Sequence, residues 1–246
     1  YSYRPMNSKE VVLITGGAKR LGRAMALSLA ASGYRVVIHC NESVEQAEKL
    51  VQELALQGFD SAYVQGDLSD SGTLASLFSQ AVQAFGQVDH LINNASLFPA
   101  RTMDETDLAL FEQVMAVHST APFFLTKELY VHLKARAAKG SVVNMLDAKL
   151  TSPTVSRPAY YCAKGALAYQ TKALAAALGP TLRVNAVSPG LVLSNGDDAY
   201  FTKMQNQLPL KTTGKTDDIC QAVSYLLGSS FVTGTELCVD GGQRLL

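Results

Sequence analysis

Short apolar runs rich in branched residues alternate along this chain with longer stretches of helical period, which predicts a parallel sheet between layers of helices. Val11-Val12-Leu13-Ile14-Thr15 is too short and too uniformly apolar for a helix and reads as a buried strand. It runs into Gly16-Gly17-Ala18-Lys19-Arg20-Leu21-Gly22, after which Arg23 to Ser32 reads as a helix that is apolar on nearly every face and closes at Gly33. A second strand, Arg35 to His39, leads to a helix whose inner stripe is Val44, Ala47, Leu50, Val51 and Leu54. Further strands are expected at Ala62 to Val64, Val88 to Ile92, Ser141 to Leu146, Leu182 to Val187 and Glu236 to Val239. Leu108 to Lys134 carries one long helical pattern in which Pro122 should kink the helix or open a new one. A last helix opens at Asp217-Asp218 and runs to Leu227. From Leu191 to about Lys215 the chain is polar and without period, and Ser194 to Gln207 is expected to be a flap. Seven strands with six helical segments make a doubly wound parallel α/β sheet, one domain over residues 11–246 behind an N-terminal tail at residues 1–10. Tyr1 to Pro5, ahead of Met6, read equally as a cloning remnant or a natural tail.

Composition narrows the partners. The 21 basic and 21 acidic residues cancel, and no long charge run suggests a nucleic-acid footprint, so a small molecule is the expected partner. The four cysteines, Cys40, Cys162, Cys220 and Cys238, lie far apart without a Cys-x-x-Cys pair, which argues against a metal site or a disulfide scaffold and fits a reducing cytoplasm. No run of about 18 uninterrupted apolar residues predicts a membrane span.

The chemistry converges on Asp147 to Lys164. Tyr160 and Lys164 are four apart, so on a helix they share one face, and a cation near a phenol favours the charged form and tunes it as an acid. The Ser141 strand delivers Asp147 at its carboxyl end, where open α/β sheets place ligands. Strand, glycine turn and helix at the start of the chain favour a pyrophosphate site over the other reading, a tight turn whose glycines serve geometry only. At the end of the second strand, His39, Cys40 and Asn41 offer no carboxylate for a ribose 2′-OH, which favours NADPH over NADH; Glu42 reads as a solvated first-turn carboxylate. Small residues in Asn93-Asn94-Ala95-Ser96 allow a flat ring to approach with Phe98 at its open side and Pro99 stiffening the loop, though Phe98 also suits ordinary loop packing. His118 reads as a packed or interface histidine.

Taken together, Thr15-Gly16 with Gly22, Asn93-Asn94-Ala95, Tyr160 with Lys164, Ser188-Pro189-Gly190, and Thr233-Gly234 with Asp240-Gly241-Gly242 resemble the short-chain dehydrogenase/reductase family over essentially the whole chain. The resemblance implies a Rossmann-type fold and a homotetramer. Arg20 in place of a usual glycine, Ser96 in place of the last glycine of Asn-Asn-Ala-Gly, and Asp147 in place of the catalytic serine resemble its pteridine reductase branch, which reduces pterins or folate with NADPH. That likeness implies Tyr160 as proton donor, Lys164 as the residue that holds the nicotinamide ribose and lowers the tyrosine pKa, and Asp147 as the relay behind Tyr160. It implies Phe98 stacking the pterin, Arg20 and Ser96 at phosphate or pterin edge, and Asp67 and Leu68 at the adenine. Gly16, Lys19, Leu21, His39, Asn41, Asn94, Ala95, Pro189 and Gly190 would line the rest of the cofactor. Two positions depart: His118 stands where the family usually has an asparagine, and Glu42 where the branch often has an arginine. Two other readings compete, a carbonyl reductase acting on 3-oxoacyl thioesters and a non-catalytic dinucleotide sensor.

Overall fold

A computed structural model describes residues 9–193 and 198–246. The expectations for residues 1–8 and for the flap at residues 194–197 lie outside the described residues. Seven parallel strands form one sheet: β1 (Val11–Ile14), β2 (Arg35–Cys40), β3 (Ser61–Gln65), β4 (His90–Asn93), β5 (Gly140–Met145), β6 (Leu182–Pro189) and β7 (Glu236–Val239), in the order β3-β2-β1-β4-β5-β6-β7. The order reverses between β1 and β4, so the turns that leave these two strands diverge to opposite faces and open a crevice at their carboxyl ends.

Both faces of the sheet are covered because successive strand residues point to opposite sides. Val12, Ile14, Val36 and Ile38 pack with Met25 and Leu29 of α1 (Arg20–Ala31), Leu50 and Leu54 of α2 (Val44–Leu56), and Val223 and Leu226 of a later helix, Thr216–Gly228. Their neighbours Val11, Leu13 and Val37 face the other layer, with Leu77 and Phe78 of α3 (Leu74–Phe85) and a Leu125, Leu129, Leu133 stripe.

The long pattern from Leu108 is three pieces: α4 (Leu108–Met115), a wide π turn at Ala116–Thr120, and α5 (Ala121–Ala135). Pro122 therefore opens the new helix in its first turn, where a missing N–H costs nothing, and the irregularity falls earlier, at the turn that carries His118. By length and composition Leu108–Ala135 would suit a bilayer. Here its leucine stripe is buried against the sheet.

The next helix, α6 (Pro158–Leu178), carries Tyr160 and Lys164. The stretch expected to lack regular structure contains α7 (Asp198–Gln207), whose mixed polar sequence hides its period. The last helix is α8 (Thr216–Gly228), with Asp217 and Asp218 in its first turn as expected. Helix α1 begins three residues earlier than its apolar pattern suggests, and Arg20 at its start has φ +51°.

Gly22 shows how tightly the turn into α1 is closed. A Cβ there would stand 2.2 Å from the Gly16 carbonyl oxygen and 2.8 Å from Asn94 Nδ2, both rigidly held groups. Gly22→Ala should cost about 2–4 kcal/mol of stability, measured as a lower urea midpoint at unchanged slope. An unchanged midpoint would show that the turn yields.

Candidate active site

The crevice is tied shut on one side by a single hydroxyl. Thr15 Oγ1, at the end of β1, donates to the Ile92 carbonyl and accepts from the backbone N–H groups of Asn94 and Ala95 at 2.9 and 3.0 Å. Asn94 adds its side-chain amide, which donates to the Thr15 and Gly16 carbonyls. These bonds leave Ala95 against Gly16 and send Ser96 and Phe98 outward, both exposed.

The helix behind this turn starts without a cap. Lys19, the residue ahead of α1, makes no side-chain bond to the first N–H groups, and the first turn has no acidic residue. Such an end attracts an anion, so a pyrophosphate fits here on the chain's own chemistry. Lys19 and Arg20 beside it are exposed. Arg20 holds a left-handed backbone that suits glycine, a strain that persists only where the surroundings fix it.

His39 plays a different part from the expected one. Its imidazole is buried; Nδ1 accepts from the Gly16 N–H at 3.1 Å and Nε2 donates to the Gly66 carbonyl at 2.9 Å. The side chain thus braces the turns after β1 and β3 from within. Burial lowers its pKa and keeps it neutral, as the acceptor role of Nδ1 requires. Asn41 and Glu42 are exposed at the end of β2. Beyond Gly66, Asp67 Oδ1 accepts from the N–H and hydroxyl of Ser69, and Leu68 is buried beside it. Across the crevice, Gly190 approaches the Asp240 backbone so closely that a Cβ would stand 2.5 Å from its Cα.

At the centre, the Tyr160 hydroxyl donates to Asp147 Oδ2 at 3.0 Å, while Asp147 Oδ1 caps the short turn after β5 by accepting from the Lys149 N–H at 2.8 Å. One carboxyl group is therefore fixed at both oxygens. Lys164 is buried one helical turn on, and its ammonium donates to the Met145 carbonyl at 2.5 Å. The expected cation effect on the phenol is overridden. Burial, then the charge and hydrogen bond of Asp147, push the Tyr160 pKa far up, and Lys164 Nζ stands 5.8 Å from the ring centre, over its face. Burial also pulls Lys164 down to about 8, opposed by Asp147.

Aromatic rings box in the phenol. Phe98 meets Tyr160 edge to face at 4.6 Å, His118 at 5.2 Å and Tyr161 at 5.2 Å. His118 Nε2 is held by the Leu97 backbone, and burial together with the Lys164 charge lowers its pKa to about 3, so it is a neutral wall of the site. Reading the sequence by motif named Thr15 and His39 without their bracing roles and left out Arg157, whose guanidinium lies 3.9 Å over the Phe98 ring. Thr15 and His39 sit among apolar strand residues and act through backbone groups far away in sequence, so no local pattern reveals those roles.

The protein-family profile described as enoyl-(acyl carrier protein) reductase matches residues 16–244. A protein named as ketoacyl reductase 2 of the granaticin polyketide synthase, from Streptomyces violaceoruber, is 34% identical over 96% of both chains. The 3-oxoacyl-acyl-carrier-protein reductase FabG of Staphylococcus aureus is 27% identical over 98% of this chain and 100% of its own. Among solved structures, the FolM alternative dihydrofolate reductase 1 of Brucella canis, complexed with NADP, superimposes with a TM-score of 0.91 at 33% identity, covering 98% of this chain and 97% of that one. Its counterpart from Brucella suis, also with NADP, gives 0.92 at 33% identity over the same shares.

A buried ammonium with one backbone acceptor should weigh on the fold. Lys164→Met should raise stability at pH 7 by roughly 1–3 kcal/mol. The folded-state pKa of about 8 lies below the ordinary 10.5, so the wild type carries the full burden below pH 8 and sheds it as pH rises toward 10.5. Urea titrations of both proteins at pH 7 and pH 10 should therefore show the gain shrinking. A loss of stability at pH 7 would mean that the ammonium supports the fold.

Proposed function

Since this chain belongs to the short-chain dehydrogenase/reductase family, we propose that it is an NADPH-dependent pteridine reductase, reducing a C=N bond of a dihydropterin or of dihydrofolate. The observation that carries this reading is the carboxyl group at position 147 hydrogen-bonded to the Tyr160 hydroxyl. A carbonyl reductase must steady a developing oxyanion, which a carboxylate repels, whereas a ring nitrogen that gains a proton benefits from an acid and a relay behind it. The likeness to two NADP-bound dihydrofolate reductases supports it; the likeness to ketoacyl reductases supports the family chemistry and leaves the 3-oxoacyl thioester as the alternative substrate.

The residues divide the work. The uncapped start of α1, with Lys19, Arg20 and Leu21, would take the pyrophosphate; Asp67 and Leu68 would meet the adenine; Ala95, Ser96, Pro189 and Gly190 would line the nicotinamide side; and Lys164 would hold its ribose. When bound, the dinucleotide supplies the hydride. Phe98 gives the flat substrate a face to stack on, and Arg20 and Ser96 reach its edge. Tyr160 hands a proton to the ring nitrogen. Because its hydroxyl points at Asp147 in the resting geometry and its pKa is held up, Tyr160 remains protonated until a substrate atom competes for that proton. Asp147 then returns a proton taken from solvent. His118 and Tyr161 wall the phenol, so the proton from solvent reaches it by way of Asp147.

A homotetramer is the proposed assembly, and exposed apolar side chains support it: Phe123, Phe124 and Tyr169 on α5 and α6, and Tyr225 and Phe231 on and just beyond α8. If each group is covered by a second copy, two interfaces per chain build a tetramer, and light scattering should give four copies at micromolar concentration. A monomer would refute that.

Turnover separates the readings. NADPH oxidation is expected with dihydropterins and not with acetoacetyl thioester, and NADPH should be preferred over NADH because no carboxylate ends β2. Equal use of NADH would mean that Glu42 governs the site, and Glu42→Arg should then shift preference to NADPH. Asp147→Ser should lower kcat for pterins about ten- to a thousand-fold with NADPH binding intact. Asp147→Asn keeps the Lys149 cap but removes the Asp147 charge, so it should lose the relay at similar cost while the Tyr160 pKa falls only in part, since burial, the larger cause, still holds it up. Near-normal turnover in that variant would reduce Asp147 to a positioning role.

A further inference from the structure

One cation at the rim of the site has no counterpart. Arg157 precedes the first residue of α6, with a backbone neither helical nor extended (φ −151°, ψ 47°). Its guanidinium lies over Phe98, with its central carbon 3.9 Å from the ring centre, and Phe98 in turn meets Tyr160 at 4.6 Å. The Nη1 group is buried without a hydrogen-bond partner, and among the described residues no carboxylate pairs with this guanidinium. The ring attracts the cation and offsets part of its desolvation, but it leaves the N–H donors unanswered.

With Nη1 closed off, the donors on the accessible part of the guanidinium, Nε and Nη2, form a docking group for an incoming acceptor. A guanidinium presents planar paired donors that match a carboxylate, and it is held on the ring against which the flat substrate is expected to stack. The same loop carries a second cation, Arg101, exposed three residues beyond Phe98 and bonded only to the carbonyl of Ala100. The nearby carboxylates are already engaged: Asp104 accepts from the Thr102 hydroxyl and Glu105 from the Thr102 N–H. Among the described residues neither carboxylate pairs with Arg101 or Arg157, so both guanidiniums remain open to an anion.

We propose that Arg157 is a specificity-determining residue that receives a carboxylate on the substrate's side chain, so that among pteridines this enzyme favours a folate-type substrate with an acidic tail over one with an uncharged polyol tail. The proposal rests on the pteridine reading above and adds the substrate's charge to it.

Steady-state kinetics with dihydrofolate and dihydrobiopterin, at saturating NADPH, test it on the wild type, Arg157→Gln and Arg157→Lys. The wild type should show the lower KM for dihydrofolate. Arg157→Gln should shift the ratio of the two KM values about tenfold against dihydrofolate, the loss of one charge-assisted contact, while kcat for dihydrofolate stays within about twofold. Arg157→Lys should recover part of the ratio, and added salt should raise KM for dihydrofolate selectively. If Arg157→Gln raises both KM values alike, Arg157 only props Phe98 and the proposal is wrong; an unchanged ratio overturns it equally. A wild type that reduces neither pteridine but does reduce acetoacetyl thioester would instead defeat the pteridine reading itself. The two failures are therefore distinct.

Discussion

The hydroxyl of Thr15 answers three backbone groups at once, and the site exists because it does. Two parallel strands whose connections diverge leave their last N–H and C=O groups facing a crevice, where unpaired backbone is costly. Thr15 Oγ1 closes that gap between β1 and β4, and the Asn94 amide closes the rest. With the two strand ends locked, Gly16 and Ala95 stand in contact and the start of α1 faces the crevice uncapped. His39 extends the same bracing to the turn after β3. A preformed anion site thus comes from hydrogen bonds that touch no ligand.

On this frame the acid chemistry is set by what surrounds one phenol. A lysine four residues along a helix lies on the right face, yet the ammonium turns to a backbone carbonyl and Asp147 takes the hydroxyl. The result is a proton held in place, in a pocket walled by Phe98, His118 and Tyr161. In the resting protein this hydroxyl keeps its proton; the preference for a ring nitrogen over a carbonyl oxygen belongs to the function proposed above.

Stability is spent at the same place. Lys164 is buried, Arg20 holds a left-handed backbone and Arg157 keeps an unpaired buried nitrogen, all within the crevice or at its rim. Elsewhere the sheet faces are packed by ordinary aliphatic stripes. Concentrated local cost on a well-packed scaffold is how functional sites differ from the rest of a fold.

The sequence alone determined the sheet and the place of the chemistry, because both are written in short-range patterns. Branched apolar runs mark strands, glycines mark the turn into α1, and Tyr160 with Lys164 and Asp147 fall where helix period and strand end put them. What failed locally was whatever lacked a period: α7 is too polar to announce itself, and the break in the Leu108 pattern came at a π turn that no residue type signals, ahead of Pro122. Only tertiary structure decided the direction of the phenol's pKa, since burial and the carboxylate outweigh a cation that the sequence placed nearby. It alone made His39 an internal brace and set Arg157 on Phe98, because both contacts join residues far apart in the chain, and distance in sequence says nothing about which side chains meet.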